Sequence, residues 1–215
     1  MDGLQKILNG IVQFKREDFE QHKELFHNLG TSQKPHTLFI ACSDSRVDPN
    51  LITKTLPGEL FIIRNIANLV PPYRATAEFV ATTAAIEYAV VFLEVEHIIV
   101  CGHSNCGGCN ACLRPPEYLE AAPHTKKWLE LAHPVRDRVL ETLSDNEPAA
   151  REWMMEQENV VEQLKHLLTY PYIREKVKAK KLTLDGLHYI IETGEELRKD
   201  SKKAIFSLET CDRSV

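Results

Sequence analysis

No stretch of this sequence is apolar for long enough to cross a membrane. The most apolar one, Phe79 to Val95, carries Glu87 and Glu94 and falls short of the roughly 20 residues a spanning helix needs, so no membrane insertion is expected. The first residues include Asp2 and Lys6 and have no apolar core of the kind a secretory leader carries, which points to a cytoplasmic protein. An excess of positive charge is missing too. Lys and Arg number 26 against 31 Asp and Glu, a net charge of −5, and the basic residues are scattered, which argues against nucleic acid as a partner. No linker rich in Pro, Gly or Ser, no repeat and no low-complexity segment divides the 215 residues. That length suits one sizeable core and is short for two, so a single domain over 1–215 is expected.

Cysteine occurs six times, but in a reducing compartment metal binding or a plain thiol is the better default than a disulfide. Cys42 and Cys106 are the metal candidates. Cys101 sits inside an apolar run and reads as a small core residue. Cys106, Cys109 and Cys112 are spaced three apart, which leaves a redox pair or an iron–sulfur set open, although Leu113 and Arg114 stand where a ferredoxin run continues. Cys211 lies in a polar tail and reads as an incidental thiol.

The most specific stretch runs from Ile98 to Gly108, where an apolar run ends in His103-Ser104-Asn105-Cys106 and two glycines. It reads as a buried strand that stops at a metal site, with Gly107 and Gly108 expected to turn the backbone tightly. Thr37 to Cys42 is a second apolar run ending in a soft ligand, with Asp44 and Arg46 following at alternate positions. In one parallel sheet both strands would open at the same edge, where open α/β sheets place their sites at a switch in strand order. Cys42, His103 and Cys106 would then converge on one ion. Two thiolates and one imidazole are three protein ligands with the fourth position open, the pattern of a catalytic Zn2+ rather than a structural one.

Along the chain, residues 4 to 26 have helical spacing of Leu4, Ile7, Leu8, Ile11, Phe14, Phe19, Leu25 and Phe26, which predicts one or two amphipathic helices in an N-terminal helical arm over 1–30. Strands follow at 36–42, 59–63 and 97–102. Asp48 and Pro49 start a short helix to Thr55, and an Ala-rich crossover helix spans 75–93. Beyond Gly108 the chain is mostly helical, with a break near His133 at Pro134 and a long helix over 148–168 that aligns Trp153, Val160, Val161, Leu164 and Leu168. Residues 182–191, a turn at Thr193-Gly194 and residues 204–208 are expected to add a strand and an antiparallel partner. The fold class is α/β: a central, mostly parallel sheet with an antiparallel edge strand, flanked by helices.

Cys42-Ser43-Asp44-Ser45-Arg46 together with Gly102-His103-Ser104-Asn105-Cys106-Gly107-Gly108 resembles the paired signature of the β-class carbonic anhydrases. Pro57-Gly58-Glu59, Arg64-Asn65-Ile66-Ala67-Asn68, Ala85-Ile86-Glu87-Tyr88-Ala89 and Tyr189 to Gly194 are similar to the family in the same order, over nearly the whole chain. The resemblance implies zinc-dependent hydration of carbon dioxide to bicarbonate by a homodimer or a dimer of dimers. It assigns Cys42, His103 and Cys106 to the metal, one ion per chain, and makes Asp44 and Arg46 a dyad in which the guanidinium keeps the carboxylate ionised and oriented. Asp44 is then also the possible fourth ligand of a closed form.

The resemblance further places Gly107 and Tyr88 in the substrate pocket, although Tyr88 is equally a core or interface residue. Leu56 stands where many members have a pocket Gln. Phe39, Arg64 and Tyr189 match a bicarbonate regulatory pocket in which other members have a Trp in place of Phe39; without an indole N–H, an open site and no bicarbonate switch are expected. The alternatives are hydrolysis of carbonyl sulfide or carbon disulfide at the same zinc, and a non-enzymatic zinc or redox module built on Cys106, Cys109 and Cys112. His97, His124, His133, His166 and His188 read as solvent-facing or locally satisfied.

Overall fold

The computed structural model describes residues 2–74 and 80–199, and the backbone of 206–208. Cys211 and residues 75–79, where the crossover helix was expected to start, lie outside the described residues. The chain divides into two compact units, Met1–Lys34 and Pro35–Val215.

In the first unit the expected helical arm forms three helices, α1 (Gly3–Arg16), α2 (Asp18–Gln21) and α3 (Lys23–Leu29). Phe14, Phe19 and Phe26 gather as an aromatic cluster, with Phe19 stacked on Phe26 at 5.3 Å between ring centres. Leu4, Ile7, Leu8 and Ile11 on α1 remain exposed.

The second unit is built on a six-stranded sheet of order β2-β1-β3-β4-β5-β6. Its strands are β1 (Thr37–Cys42), β2 (Leu60–Asn65), β3 (His97–His103), β4 (Thr183–Ile190), β5 (Glu195–Lys199) and β6 (Phe206–Leu208). The first four are parallel, in registers that set Cys42 beside Asn65, Ala41 beside Cys101 and His103 beside Tyr189. All six residues of β1 are buried, as a central strand covered on both faces requires. The chain leaves β1 toward β2 on one side and leaves β3 toward β4 on the other, so the gap between the ends of β1 and β3 is the switch point in strand order.

The antiparallel partner of β4 is β5, which pairs Leu187 with Arg198 and Ile190 with Glu195. This corrects the expectation that residues 204–208 form that partner. Of these, Phe206–Leu208 instead form β6 outside β5, and residues 204–205 lie outside the described residues. The sequence Glu-Glu-Leu-Arg-Lys carries no strand pattern of its own, and it is extended because the turn before it returns the chain along β4.

The connecting helices are α4 (Pro49–Thr53), α5 (Val80–Glu87), α6 (Gly107–Leu113), α7 (Pro123–Leu129), α8 (His133–Thr142), α9 (Pro148–Leu167) and α10 (Pro171–Lys178). Asp48 caps α4 by accepting from Leu51 N–H at 3.2 Å, and Lys54 ends it in the left-handed conformation. After α5 the crossover does not continue as a plain α-helix: Tyr88–Phe92 form a π-helical turn. Pro134 opens α8 rather than kinking a longer helix.

Apolar spacing gives the buried face of α9 only in part: Val160 is buried and Leu164 packs on the core, as expected. Met155, Glu156, Asn159, Val160, Gln163 and Leu167 are buried, whereas Trp153 and Leu168 are exposed. Three of those six buried side chains are polar, and each meets a backbone group: Glu156 at Cys106, Asn159 at Ala67 and Gln163 at Val70. No helix among the described residues is long and apolar enough to cross a membrane.

Candidate metal centre

The ends of β1 and β3 deliver Cys42 and His103 to the switch point, and a single turn of chain brings Cys106 back to them at the head of α6. Ligand atoms of these three residues all lie within 4.8 Å of one another, and all three residues are buried. Cys42 Sγ and Cys106 Sγ are 3.9 Å apart. Two sulfurs bound at about 2.3 Å to a tetrahedral ion stand about 3.8 Å apart, so this separation suits one metal between them. The described cysteines are all free thiols.

His103 donates from Nδ1 to the carbonyl oxygen of Ser104 at 3.0 Å, which leaves Nε2 as the lone-pair nitrogen. That atom is buried and has no hydrogen-bond partner. An orphaned imidazole nitrogen costs about 1–3 kcal/mol unless something accepts its lone pair, and the two thiols are its neighbours. A metal ion fits this group of donors, with the imidazole fixed from behind by a backbone carbonyl as metal-ligating histidines usually are.

Asp44 and Arg46 form a fork-to-fork pair at the rim. Arg46 Nε donates to Oδ1 at 2.9 Å, Nη2 donates to Oδ2 at 2.7 Å, and the Arg46 backbone N–H adds a third bond to Oδ1 at 3.0 Å. The hydrogen bonds from the guanidinium hold the Asp44 carboxyl well below the usual carboxylate range. Asp44 Oδ2 is 3.9 Å from His103 Nε2, so an ionised acceptor faces the donor group. Arg64 is committed to backbone, donating from Nε to the Cys42 carbonyl at 3.0 Å and from Nη2 to the Asp44 carbonyl at 2.6 Å.

The glycine pair does something other than turn the chain. Gly107 and Gly108 are the first residues of α6, neither has a positive φ, and what Gly108 provides is proximity. A Cβ there would stand 2.8 Å from Ala67 Cβ and 2.9 Å from Ile66 Cγ2. The segment it rests on is itself held: Ala67 and Asn68 both have left-handed backbone, Trp128 Nε1 donates to the Ile66 carbonyl at 2.8 Å, and Asn159 Nδ2 donates to the Ala67 carbonyl at 2.9 Å.

The remaining sequence candidates stand further out. Tyr88 is 45 % exposed and packs on Phe61 and Phe92. Phe39 is wholly buried in a cluster with Ala41, Val47, Cys101 and Leu187, against which Tyr189 packs. Cys109 and Cys112 are buried in the cluster that also holds Cys42 and Cys106, but they are not in the three-residue donor group. His97 contacts Thr183 Oγ1 and His166 contacts the Val70 carbonyl, each satisfied locally. Glu156, whose carboxylate accepts from Cys106 N–H at 3.0 Å, has no counterpart among the residues the sequence motifs single out.

Known proteins match this arrangement closely. The sequence model for the carbonic anhydrase family matches residues 37–196. A carbonic anhydrase of Helicobacter pylori (strain J99) is 43% identical over 188 residues, 86% of this chain and 85% of that protein. The structure of the β-carbonic anhydrase CcaA superposes with a TM-score of 0.90 at 39% identity, covering 96% of this chain and 100% of that one. A structure reported as one of two tetrameric β-carbonic anhydrases from Sordaria macrospora reaches 0.76 at 30% identity, covering 97% of both. With a matching sheet, the Cys-His-Cys group at its switch point and relatives along most of its length, the chain belongs to the β-carbonic anhydrase family.

Proposed function

We propose that Cys42, His103 and Cys106 hold one Zn2+ ion and that the chain uses it for the reversible hydration of carbon dioxide to bicarbonate and a proton. The observation that carries this reading is the buried, unpartnered Nε2 of His103 beside two thiols 3.9 Å apart. A zinc ion bound there would supply a Lewis acid that brings the ionisation of water down toward neutral pH.

The chain's own residues do the rest. Asp44, kept ionised by Arg46, is the acceptor for a proton of the water that enters the site, so it orients that water and leaves an oxygen lone pair toward the carbon of the substrate. Arg46 keeps both carboxylate oxygens occupied by N–H donors, which prevents Asp44 from turning into the donor group. With Arg64 spent on two carbonyls and Phe39 lacking an N–H, we expect an open site without bicarbonate switching; a hyperbolic rather than sigmoidal response to added bicarbonate is the outcome this requires. Gly107 leaves open space at the head of α6, with nothing within 4 Å of where a Cβ would stand, and that space suits a small linear substrate.

A homo-oligomer, dimer or dimer of dimers, is part of the proposal. Tyr88, Val91 and Phe92 are exposed apolar side chains at one end of the crossover, with Tyr88 stacked on Phe92 and Phe92 69 % exposed, and one relative is reported as tetrameric. Large exposed apolar patches mark interfaces.

Stopped-flow hydration of carbon dioxide by the purified protein tests the function. Fast hydration that disappears together with zinc in Cys106→Ala supports it, whereas full activity in zinc-free Cys106→Ala contradicts the assignment.

A further inference from the structure

The peptide that joins Asn105 to Cys106 is gripped at both of its polar atoms. Its carbonyl oxygen accepts a hydrogen bond from Arg46 Nη2 at 3.0 Å, and its N–H donates to Glu156 Oε1 at 3.0 Å. A guanidinium on the oxygen and a carboxylate on the nitrogen oppose each other across one planar unit, and hydrogen bonds to ionised partners are about twice as strong as neutral ones. The grip has something to hold. Asn105 has a φ of 55°, a left-handed conformation that Asn tolerates better than most residues and that sets the direction in which the chain enters Cys106.

Glu156 comes from the middle of α9, far along the chain, and is 4% exposed. Its second oxygen lies 3.2 Å from Nε2 of His188 on β4, which is 0% exposed. Desolvating a carboxylate costs several kcal/mol, and well-packed apolar residues commonly replace buried ionic pairs without loss of stability. Packing therefore gives no reason for a Glu on this face of α9, whereas fixing the Cys106 backbone does. The same guanidinium that orients Asp44 also fixes the peptide, so the dyad and the ligand are parts of one array running from Asp44 through Arg46 and the 105–106 peptide to Glu156 and His188.

We infer that Glu156, itself set by His188, is a positioning residue of the metal centre: it fixes the Cys106 backbone so that its thiolate stays at ligating distance opposite Cys42. This rests on the zinc reading above.

The test compares zinc-loaded wild-type protein with Glu156→Ala, Glu156→Gln and Gln163→Ala. Gln163 lies about two turns on along the same buried face and accepts from Val70 N–H at 2.8 Å, so its variant loses a comparable buried hydrogen bond away from Cys106. Zinc transfer to a chromogenic chelator is expected to be about 10- to 100-fold faster in Glu156→Ala and close to wild type in Gln163→Ala. Glu156→Gln, which keeps an acceptor on the Cys106 amide, falls between them, and its cobalt(II)-substituted form has a shifted thiolate charge-transfer band. Wild-type zinc retention in Glu156→Ala, equal acceleration in both alanine variants, or a Gln variant no better than Ala overturns the inference. Should Glu156→Ala not fold, the cobalt(II) spectrum of Glu156→Gln decides, and superposition on the wild-type band overturns it. A wild-type protein that carries no zinc would instead defeat the zinc reading.

Discussion

Adjacent glycines at the head of α6 should respond to the same substitution with opposite signs. Adding a methyl group at Gly108 places it 2.8 Å from Ala67 Cβ, 2.9 Å from Ile66 Cγ2 and 3.2 Å from Ala67 N. Two of those three atoms are backbone or Cβ, and Ala67 is tied by Asn159, so the crowding is not relieved by rotating a side chain. Overpacking of this kind costs typically 1–3 kcal/mol, and the closeness of the contacts argues for the upper end. Alanine regains about 1 kcal/mol of helix propensity, leaving a net loss of about 2 kcal/mol. Gly107→Ala meets nothing within 4 Å and has only the gain, about 0.5–1 kcal/mol. For a chain of this size 1 kcal/mol moves Tm by about 2–4 °C, so Gly108→Ala should melt about 4–8 °C below wild type and Gly107→Ala slightly above it. Thermal unfolding followed by circular dichroism, at one fixed zinc concentration because bound metal raises Tm, checks both. A Gly108→Ala protein as stable as Gly107→Ala would refute the claim that α6 is jammed against the segment at Ile66 and Ala67.

Asp44→Asn should keep its zinc and lose hydration rate on the order of 10²-fold or more, because an amide is no substitute for an ionised acceptor; near-normal stopped-flow turnover would make the Asp44–Arg46 pair structural. Metal binding should release protons: the neighbouring Cys106 thiol and burial push the Cys42 thiol up to about 12, and Cys106 is raised as well by the Cys109 thiol and by burial. Calorimetry in buffers of different ionisation enthalpy should find about two protons released per zinc near pH 7.5, and release near zero contradicts the thiol pair as ligands. His166 is pushed down by burial, so its neutral form is the folded one. Its contribution to stability is complete above its ordinary value of about 6.5 and is lost as pH falls through its lowered folded value. Urea midpoints should therefore drop on acidification, less steeply in His166→Gln, and equal slopes contradict this.

The strands that carry the Cys-His-Cys group were legible because their chemistry interrupts a simple pattern. Thr37 to Cys42 and Ile98 to His103 are apolar runs that each end in a potential metal donor, and both periodicity and residue type survive in a bare sequence. The polar face of α9 was not legible for the converse reason. Hydrophobic spacing points to Val160 and Leu164, which do meet the core, and to Trp153 and Leu168, which do not; Glu156, Asn159 and Gln163 take buried positions, because backbone groups at Cys106, Ala67 and Val70 need partners and side chains of α9 reach them. Strand β5 was hidden for a third reason. Glu195 to Lys199 have neither alternation nor β-branched residues, and only pairing with β4 makes them extended. Gly107-Gly108 shows the limit of reading glycine from composition: the residue type marks a special backbone need, and only the packed neighbour at Ala67 shows that the need is close approach.

The central claim is that one zinc ion sits on two thiolates and one imidazole. X-ray absorption at the zinc edge of the purified protein tests it most directly. Two sulfurs at about 2.3 Å and two nitrogen or oxygen neighbours at about 2.0–2.1 Å are the predicted shell. A shell of three or four sulfurs, which would draw Cys109 or Cys112 into the site, or a protein without zinc, would contradict it.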